Sequence, residues 1–228
     1  MTLTPPELAQ GLFAPLSPGY ERWAVILGMG QDGRWRRRMV EGLGLGSDNH
    51  VLDVAAGTGS ITRVLQEQGA QVISLDQSLQ MLMAAAARGA TAVVATAERL
   101  PFRDARFDAV TFGYLLRYVD DIEGCLRELA RVTRPGGRVG MVEFSRPTGL
   151  WRPLWWLYTR AILPLLGLVA GTGWYRVGRF LGPSIEDFAD RYPPPVLTRI
   201  WEDAGFRDVE TTSMSLGGGL VMWGVRRG

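Results

Sequence analysis

The stretch HVLDVAAGTG, His50–Gly59, decides the fold of this chain. Its apolar part, Val51–Val54, has the composition of a buried strand, and the Gly57–Gly59 loop then breaks that strand. A glycine has no Cβ, so a ligand can lie against the backbone of such a loop. Seventeen residues after the loop, Asp76 ends a second predicted strand, where its carboxylate can accept hydrogen bonds from both ribose hydroxyls. The sequence therefore predicts a nucleoside site on a parallel sheet.

Position 62 helps to identify the nucleoside. Enzymes that bind dinucleotides carry G-x-G-x-x-G, whose third glycine lets the helix pack closely while its N-terminus holds a diphosphate. This chain has Thr62 at that position, which argues against a diphosphate. Asp53, four residues before Gly57, suits S-adenosylmethionine, because the amino-acid part of that ligand needs a carboxylate and backbone partners. We expect S-adenosylmethionine rather than NAD, and a glycine turn that binds nothing is the remaining alternative.

Length, charge and residue usage exclude several other classes. The chain has 228 residues, 46% of them hydrophobic, which is enough for one domain with a full core over residues 1–228. The net charge is only +2, and the 25 basic residues, all arginine, form no stripe that would bind nucleic acid. One cysteine and one histidine leave no disulfide, no ordinary zinc cluster and no Ser/His/Asp set, so we expect no metal. The N-terminal MTLTPPELAQ is unlike a signal peptide, which predicts a cytoplasmic protein.

Strands and helices alternate along the chain, as a doubly wound α/β fold requires. The predicted strands are Val51–Val54, Gln71–Leu75, Thr91–Thr96, Phe107–Phe112, Arg138–Phe144, Phe206–Met214 and Leu220–Arg226. The predicted helices are Ser60–Gln68, Ser78–Ala87, Asp121–Thr133 and Pro195–Ala204. Pro135-Gly136-Gly137 is expected to end the third helix before the fifth strand begins. The pattern predicts a Rossmann-like, seven-stranded, mostly parallel sheet with a C-terminal antiparallel hairpin, an N-terminal helical region over residues 1–45 and an apolar helical cap over residues 146–195.

Two motifs resemble those of the ubiquinone and menaquinone C-methyltransferases. The family's terminal signature combines Arg-Val, Pro-Gly-Gly and Glu-Phe-Ser, and stands here as RVTRPGGRVGMVEFS, Arg131–Ser145. Near the start, YERWAVILGMGQDGRWRR, Tyr20–Arg37, is similar to the family's opening motif, although Glu21, Ala24 and Gly28 replace its Asp, Asn and Ser. The resemblance implies C-methylation of a prenylated quinol ring with S-adenosylmethionine. A methyltransferase that acts on oxygen or nitrogen of another small molecule is the alternative.

The resemblance also implies the cofactor contacts. Thr96 and Ala97 stand where the family carries an Asp or Asn followed by Ala, and Thr96 can still hydrogen-bond the exocyclic amine of adenine. Met81, one helical turn beyond Gln77, would cover the adenine or would instead be a core residue. Gly113 replaces a serine of the family, which leaves only backbone contact. The full set of predicted cofactor-binding residues is Asp53, Gly57, Thr58, Gly59, Asp76, Gln77, Met81, Thr96, Ala97 and Gly113.

The predicted chemistry follows the fourth strand. The family's Phe-Gly-Leu-Arg-Asn run corresponds to Tyr114–Tyr118 and keeps its arginine as Arg117. A hydroquinone carbon becomes nucleophilic when the neighbouring hydroxyl ionises, so we expect Arg117 to stabilise that phenolate or to orient a water that takes the proton. Tyr114 and Tyr118 would relay a proton or stack on the ring, or would only pack at the sheet edge. Glu143 would accept the ring proton, or would only brace a loop.

The segment WRPLWWLYTRAILPLLGLVAGTGWYRVGRFLG, residues 151–182, indicates the substrate class. Its longest uncharged run, Ala161–Tyr175, has 15 residues and contains Pro164, so we expect it to be too short and too broken to span a bilayer. It would lie on the membrane surface and admit the prenyl tail of a lipid quinol, or it would be a plain helical cap. Peripheral contact with the inner face of the membrane and a homodimer both stay open.

Overall fold

The computed structural model describes residues 11–13, 16 and 20–228. From residue 20 onwards, the first two helices are α1 (Tyr20–Leu27) and α2 (Gln31–Gly42). Residues 1–10, on which the prediction of no signal peptide rests, lie outside the described residues. Part of the predicted helical region over residues 1–45 lies outside them as well. The single domain and the cytoplasmic location stay predictions.

Seven strands form one sheet, as predicted. The strands are β1 (His50–Val54), β2 (Gln71–Asp76), β3 (Thr91–Val94), β4 (Phe107–Gly113), β5 (Thr133–Phe144), β6 (Phe206–Met214) and β7 (Gly219–Arg226). Their order is β3-β2-β1-β4-β5-β7-β6, with β1 to β5 parallel and β7 antiparallel to both β5 and β6. The strand order reverses between β1 and β4, and the crevice at such a switch point is where doubly wound folds bind ligands.

Four helices besides α2 pack against the sheet, and two hydrophobic cores lie on its two faces. These helices are α3 (Ser60–Glu67), α4 (Leu79–Ala86), α5 (Ile122–Val132) and α9 (Pro194–Asp203). Leu126 of α5 and Trp201 of α9 belong to one core, and Met39 of α2 belongs to the other. Val51 and Leu52 are neighbours on β1 but lie in different cores, because successive side chains of a strand point to opposite faces of the sheet.

The start of β5 differs from the prediction. The strand begins at Thr133, five residues before the predicted Arg138, and so contains the Pro-Gly-Gly run that was expected to precede it. Gly136 has a φ of 75°, and the pairing register between β4 and β5 shifts at the same place. The glycine therefore allows an irregular turn of backbone inside the strand.

A helical cap lies between β5 and α9, as predicted. It contains a 3₁₀ turn (Gly149–Trp151), α6 (Arg152–Leu157), a π-helical turn (Tyr158–Ile162), α7 (Leu163–Ala170) and α8 (Thr172–Arg191). The helical run Gly149–Ala170 is continuous over 22 residues, which is long and apolar enough to cross a membrane by length and composition. The prediction that this segment is too short to span is wrong on length, because the helix continues through Arg152, Arg160 and Pro164.

Candidate cofactor and substrate site

A cavity of about 360 Å³ lies at the carboxyl ends of β1, β2 and β4. This volume is in the range of small-molecule sites, and its wall combines the loop after β1 with side chains of the cap. Most of the predicted site residues line it, namely Gly57, Thr58, Asp76, Gln77, Met81, Ala97, Gly113, Tyr114, Arg117 and Tyr118. Four others, Asp53, Gly59, Thr96 and Glu143, lie outside the wall.

The loop after β1 adopts a left-handed backbone at three positions. The φ angle is 54° at Ala55, 56° at Gly57 and 83° at Gly59, a region that favours glycine. Gly57 lines the cavity, as predicted. A Cβ on Gly59 would lie 3.0 Å from the Cβ of Ala85 on α4. The second glycine thus allows α4 to approach the loop, and the contact with a ligand predicted for Gly59 stays a prediction.

Asp76 ends β2 and lines the cavity with a carboxylate that two backbone amides hold in place. The N–H of Gly57 donates to Oδ2 and the N–H of Ser78 donates to Oδ1, each at 2.8 Å. Burial raises the pKa of Asp76, and these amides oppose that rise. Each carboxylate oxygen keeps a further lone pair, so both can accept from a hydroxyl. The arrangement fits the two adjacent hydroxyls of a ribose.

Asp53 lies beneath the cavity and does not reach it. Its fully buried carboxylate accepts hydrogen bonds from the Thr62 hydroxyl at 2.7 Å and from the Thr111 hydroxyl at 2.9 Å. Burial raises the pKa of Asp53 to about 6, against the effect of these hydrogen bonds. The predicted direct contact with the cofactor is therefore corrected, since Asp53 ties α3 to β4 and so fixes the loop between β1 and α3. Thr62 stands where dinucleotide sites have glycine because its hydroxyl completes this link.

The predicted adenine contacts are only partly brought together. Met81 and Ala97 line the cavity, but β3 ends at Val94, two residues before the predicted Thr96, and Thr96 does not line the wall. Glu98 does. A carboxylate is thus available in the turn after β3, two residues beyond the hydroxyl that the sequence predicted.

Arg117 and Glu143 form a buried ion pair beside the cavity. Nε of Arg117 donates to Oε1 of Glu143 at 2.9 Å, and the two side chains are 2% and 0% exposed. Burial lowers the pKa of Arg117, but the Glu143 carboxylate and the phenol groups of Tyr118 and Tyr114 together raise it above its ordinary value. Burial raises the pKa of Glu143 against the attraction of Arg117. Arg117 lines the cavity, whereas Glu143 lies behind the wall.

Two buried polar atoms next to this pair lack a partner. Oε2 of Glu143 and the hydroxyl of Tyr118 make no hydrogen bond to the residues that the structure describes. An unsatisfied buried polar atom costs about 1–3 kcal/mol, so such atoms mark places where a ligand or water is expected. The guanidinium carbon of Arg117 lies 5.1 Å from the centroid of the Tyr118 ring. The space beside the Arg117–Glu143 ion pair therefore suits a polar group of a ligand or a water molecule.

Helix α2 adds a charged network that sequence reasoning missed. The Tyr114 hydroxyl donates to Asp32, and Asp32 pairs with Arg36 at 2.5 Å, one helical turn further on. Burial, and then the Asp32 carboxylate, raise the pKa of Tyr114 well above its ordinary value, so its phenol stays protonated. The Tyr114 ring stacks on Phe144 at a centroid distance of 4.4 Å. The spacing of four residues between Asp32 and Arg36 was the only local signal of this network.

The sequence model of the ubiE/COQ5 methyltransferase family matches residues 2–226. A demethylmenaquinone methyltransferase of Mycolicibacterium gilvum is 39% identical over 217 residues, which cover 95% of this chain and 92% of that protein. The demethylmenaquinone methyltransferase of Mycobacterium tuberculosis is 36% identical, with 95% and 90% covered.

Two solved structures with a similar fold are described as methyltransferases. An S-adenosylmethionine-dependent enzyme of Thermotoga maritima, described as a possible histamine N-methyltransferase, has a TM-score of 0.66 and 20% identity over 95% of this chain and 99% of that one. Phosphoethanolamine N-methyltransferase 2 of Haemonchus contortus, in complex with S-adenosylhomocysteine, has a TM-score of 0.69 and 15% identity over 100% of this chain and 61% of that one. At such low sequence identity, the two similarities are evidence for the fold alone. They confirm the Rossmann-like sheet.

Proposed function

Because this chain belongs to the ubiE/COQ5 methyltransferase family and is an S-adenosylmethionine-dependent methyltransferase, we propose that it methylates a ring carbon of a prenylated quinol. The reaction would be an in-line methyl transfer to a demethylmenaquinol-like ring. The relatives named demethylmenaquinone methyltransferase support this substrate class. The observation that carries the proposal is the buried Arg117 in the wall of the same cavity as Asp76.

The cavity fits S-adenosylmethionine. Each carboxylate oxygen of Asp76 accepts one hydrogen bond from a backbone amide and has a second lone pair. These second lone pairs would accept hydrogen bonds from the ribose hydroxyls. Gly57 and Thr58 would contact the cofactor beside the ribose, and Met81 and Ala97 would cover the adenine. When bound, S-adenosylmethionine supplies an electrophilic methyl group on its sulfonium sulfur.

Arg117 would make the ring carbon nucleophilic by stabilising a phenolate. A guanidinium keeps its proton and can donate several hydrogen bonds. Nε of Arg117 is used by Glu143, and Nη1 contacts Oγ of Ser184 at 3.4 Å, so donors remain for a substrate oxygen. A preorganised donor in a buried site is worth about 10²–10³ in rate. This is the largest contribution that we assign to one side chain.

Glu143 would accept the proton that the ring carbon loses after methylation. Burial raises the pKa of its carboxyl group, which makes its carboxylate a stronger base than an exposed one, and its Oε2 has no partner among the described residues. Glu143 does not line the cavity, so the proton needs an intermediate carrier. We assign that role to Tyr118, because Tyr118 lines the cavity and its hydroxyl has no hydrogen-bond partner among the described residues.

The cap would keep water away from the reacting atoms. Leu163, Trp174 and Val177 line the cavity from the cap. Without water, the attraction between the Arg117 guanidinium and a phenolate is stronger, since it is less screened. The same apolar side chains suit a prenyl tail.

The proposal is tested with methyl-labelled S-adenosylmethionine and a panel of reduced, demethylated naphthoquinones and benzoquinones, followed by mass spectrometry of the lipids. We expect one methyl group on a naphthoquinol. Arg117→Met should lower kcat at least about a hundredfold. Removing Arg117 alone leaves the buried charge of Glu143 without a partner, which destabilises the fold. The double variant Arg117→Met/Glu143→Leu removes both charges and so avoids this destabilisation. The exposed Arg127→Met is the matched control.

Two results would contradict the proposed substrate class or the proposed role of Arg117. A panel in which no quinol is methylated would exclude the substrate class. Normal kcat in a folded Arg117 variant, with unchanged binding of S-adenosylhomocysteine, would exclude the role of the guanidinium.

A further inference from the structure

The outer side of the cap carries a large apolar surface. Leu150 is 92% exposed and Val169 is 79% exposed, and similar side chains lie between them. The five most exposed leucines of the cap, at 150, 154, 157, 165 and 168, recur largely at intervals of three or four residues, which places them along one side of the helix. We call these side chains, with Val169, the outer cap face. Contiguous apolar surface of this kind marks an interaction site in a soluble protein.

The charge of the cap distinguishes it from the rest of the chain. Between Glu143 and Glu186 there are five arginines and no acidic residue, whereas the whole chain has a net charge of only +2. Further along α8, Glu186 and Asp190 pair with two of these arginines, Arg160 and Arg146. Within the described ranges, exposed arginines that form no salt bridge include Arg152 and Arg176. Exposed apolar side chains and exposed, unpaired arginines in one segment are complementary to the anionic surface of a lipid bilayer.

We propose that the outer cap face docks on an anionic bilayer surface, with the helical run Gly149–Ala170 lying in the plane of the interface. Its apolar side chains would enter the boundary between headgroups and acyl chains, and its arginines would contact anionic headgroups. A lipid surface would explain both the apolar area and the excess of positive charge. A second copy of this chain would explain the apolar area alone.

The inner side of the same run explains why it would not cross the membrane. A Cβ on Gly167 of α7 would lie 2.7 Å from the carbonyl oxygen of Trp174, and one on Gly178 of α8 would lie 2.9 Å from the Cα of Pro164. The backbones of α7 and α8 therefore touch, and Leu163 and Trp174 also line the cavity. A spanning helix would have to break this contact and remove part of the cavity wall.

Helix α1 extends the apolar surface next to the cap. The hydroxyl of Tyr158 donates to the carbonyl oxygen of Leu27, which joins α1 to the cap. Val25, Ile26 and Met29 are 56%, 49% and 65% exposed. Docking through this side would let a prenylated quinol reach the cavity without leaving the lipid. This consequence for catalysis rests on the proposed function.

Flotation with vesicles tests the docking without any substrate. We expect the chain to float with vesicles of phosphatidylcholine and phosphatidylglycerol, and much less with phosphatidylcholine alone. Leu165→Ser/Val169→Ser should reduce binding by about tenfold or more. Arg152→Ser/Arg176→Ser should reduce it by about fivefold for each arginine. Leu79→Ser/Met83→Ser is the matched control, because these side chains on α4 are 62% and 64% exposed, and it should bind normally.

Several results would overturn the docking. Folded protein that does not float, or that floats equally with both kinds of vesicle, contradicts the attraction to anionic lipid. Resistance to an alkaline carbonate wash would mean that the helix spans the bilayer. If Leu165→Ser/Val169→Ser dissociates a dimer in light scattering but leaves flotation unchanged, the outer cap face is a subunit contact.

A turnover assay separates this inference from the proposed function. We expect Leu165→Ser/Val169→Ser to methylate a water-soluble short-chain quinol normally and a vesicle-embedded quinol more slowly. If the unmodified chain methylates neither quinol, the proposed function fails while the flotation result stands. If the variant loses both activities equally while its fold is intact, the surface does not act through lipid.

Discussion

Replacing Asp53 by asparagine should change how the stability of the protein depends on pH. Burial raises the pKa of the Asp53 carboxyl from 3.8 to about 6 in the folded protein. The folded state therefore keeps a proton that the unfolded chain has already lost, so the free energy of unfolding falls as pH rises from about 4 to about 6. At about 1.4 kcal/mol for each pH unit, the total loss is about 3 kcal/mol.

Asp53→Asn exchanges no proton in this range. Its amide can still accept a hydrogen bond from one threonine hydroxyl and donate to the other, so the links to Thr62 and Thr111 survive. Urea unfolding at about pH 4 and about pH 7.5 measures the stability of both proteins. The stability of the natural chain relative to the variant should drop by about 2–3 kcal/mol between these pH values. Asp48→Asn, which changes an exposed carboxylate, is the control and should follow the natural chain.

A difference that stays constant with pH would refute the reasoning, because it would mean that the Asp53 carboxyl titrates alike in the folded and unfolded chain. A difference that moves the other way, with the natural chain gaining stability as pH rises, would mean that its hydrogen bonds outweigh burial.

Three further substitutions test other parts of the site. Asp76→Ala removes both acceptors for the ribose and should weaken S-adenosylhomocysteine binding at least about a hundredfold in calorimetry; binding within a factor of about two would contradict the ribose assignment. Gly59→Ala forces a Cβ against Ala85 in left-handed backbone and should cost about 2–4 kcal/mol of stability, whereas Gly33→Ala, where nothing lies within 4 Å, should not destabilise; equal melting temperatures would argue against the close approach. Tyr114→Phe removes the donor to Asp32 and should lower kcat about tenfold at unchanged cofactor affinity; an effect on KM alone would limit the phenol to binding.

The sheet and the cofactor half of the site could be predicted because their signals are local. The alternation of buried strands with amphipathic helices fixes the doubly wound order. The Gly57–Gly59 loop and Asp76 lie at strand ends, and the ends of neighbouring parallel strands meet at one edge of the sheet. Their short separation in the chain was therefore enough to bring them together.

The errors have a different origin. The position of Asp53 on β1 does not reveal that its side chain turns to Thr62 and Thr111 below the cavity. The contact between Tyr114 and Asp32 joins residues 82 positions apart, and no local pattern carries that information. The prediction underestimates the length of the cap helix because it ends the apolar run at charged residues, although arginines can reach solvent from an apolar helix.

The most direct test of the central claim is where the methyl group goes. The enzyme would be supplied with S-adenosylmethionine carrying a ¹³C-labelled methyl group and with a reduced demethylated naphthoquinone, and the product would be examined by ¹³C NMR. We predict that the labelled carbon is bonded to a ring carbon next to a quinol oxygen. A labelled carbon bonded to oxygen would contradict the account and would identify an O-methyltransferase.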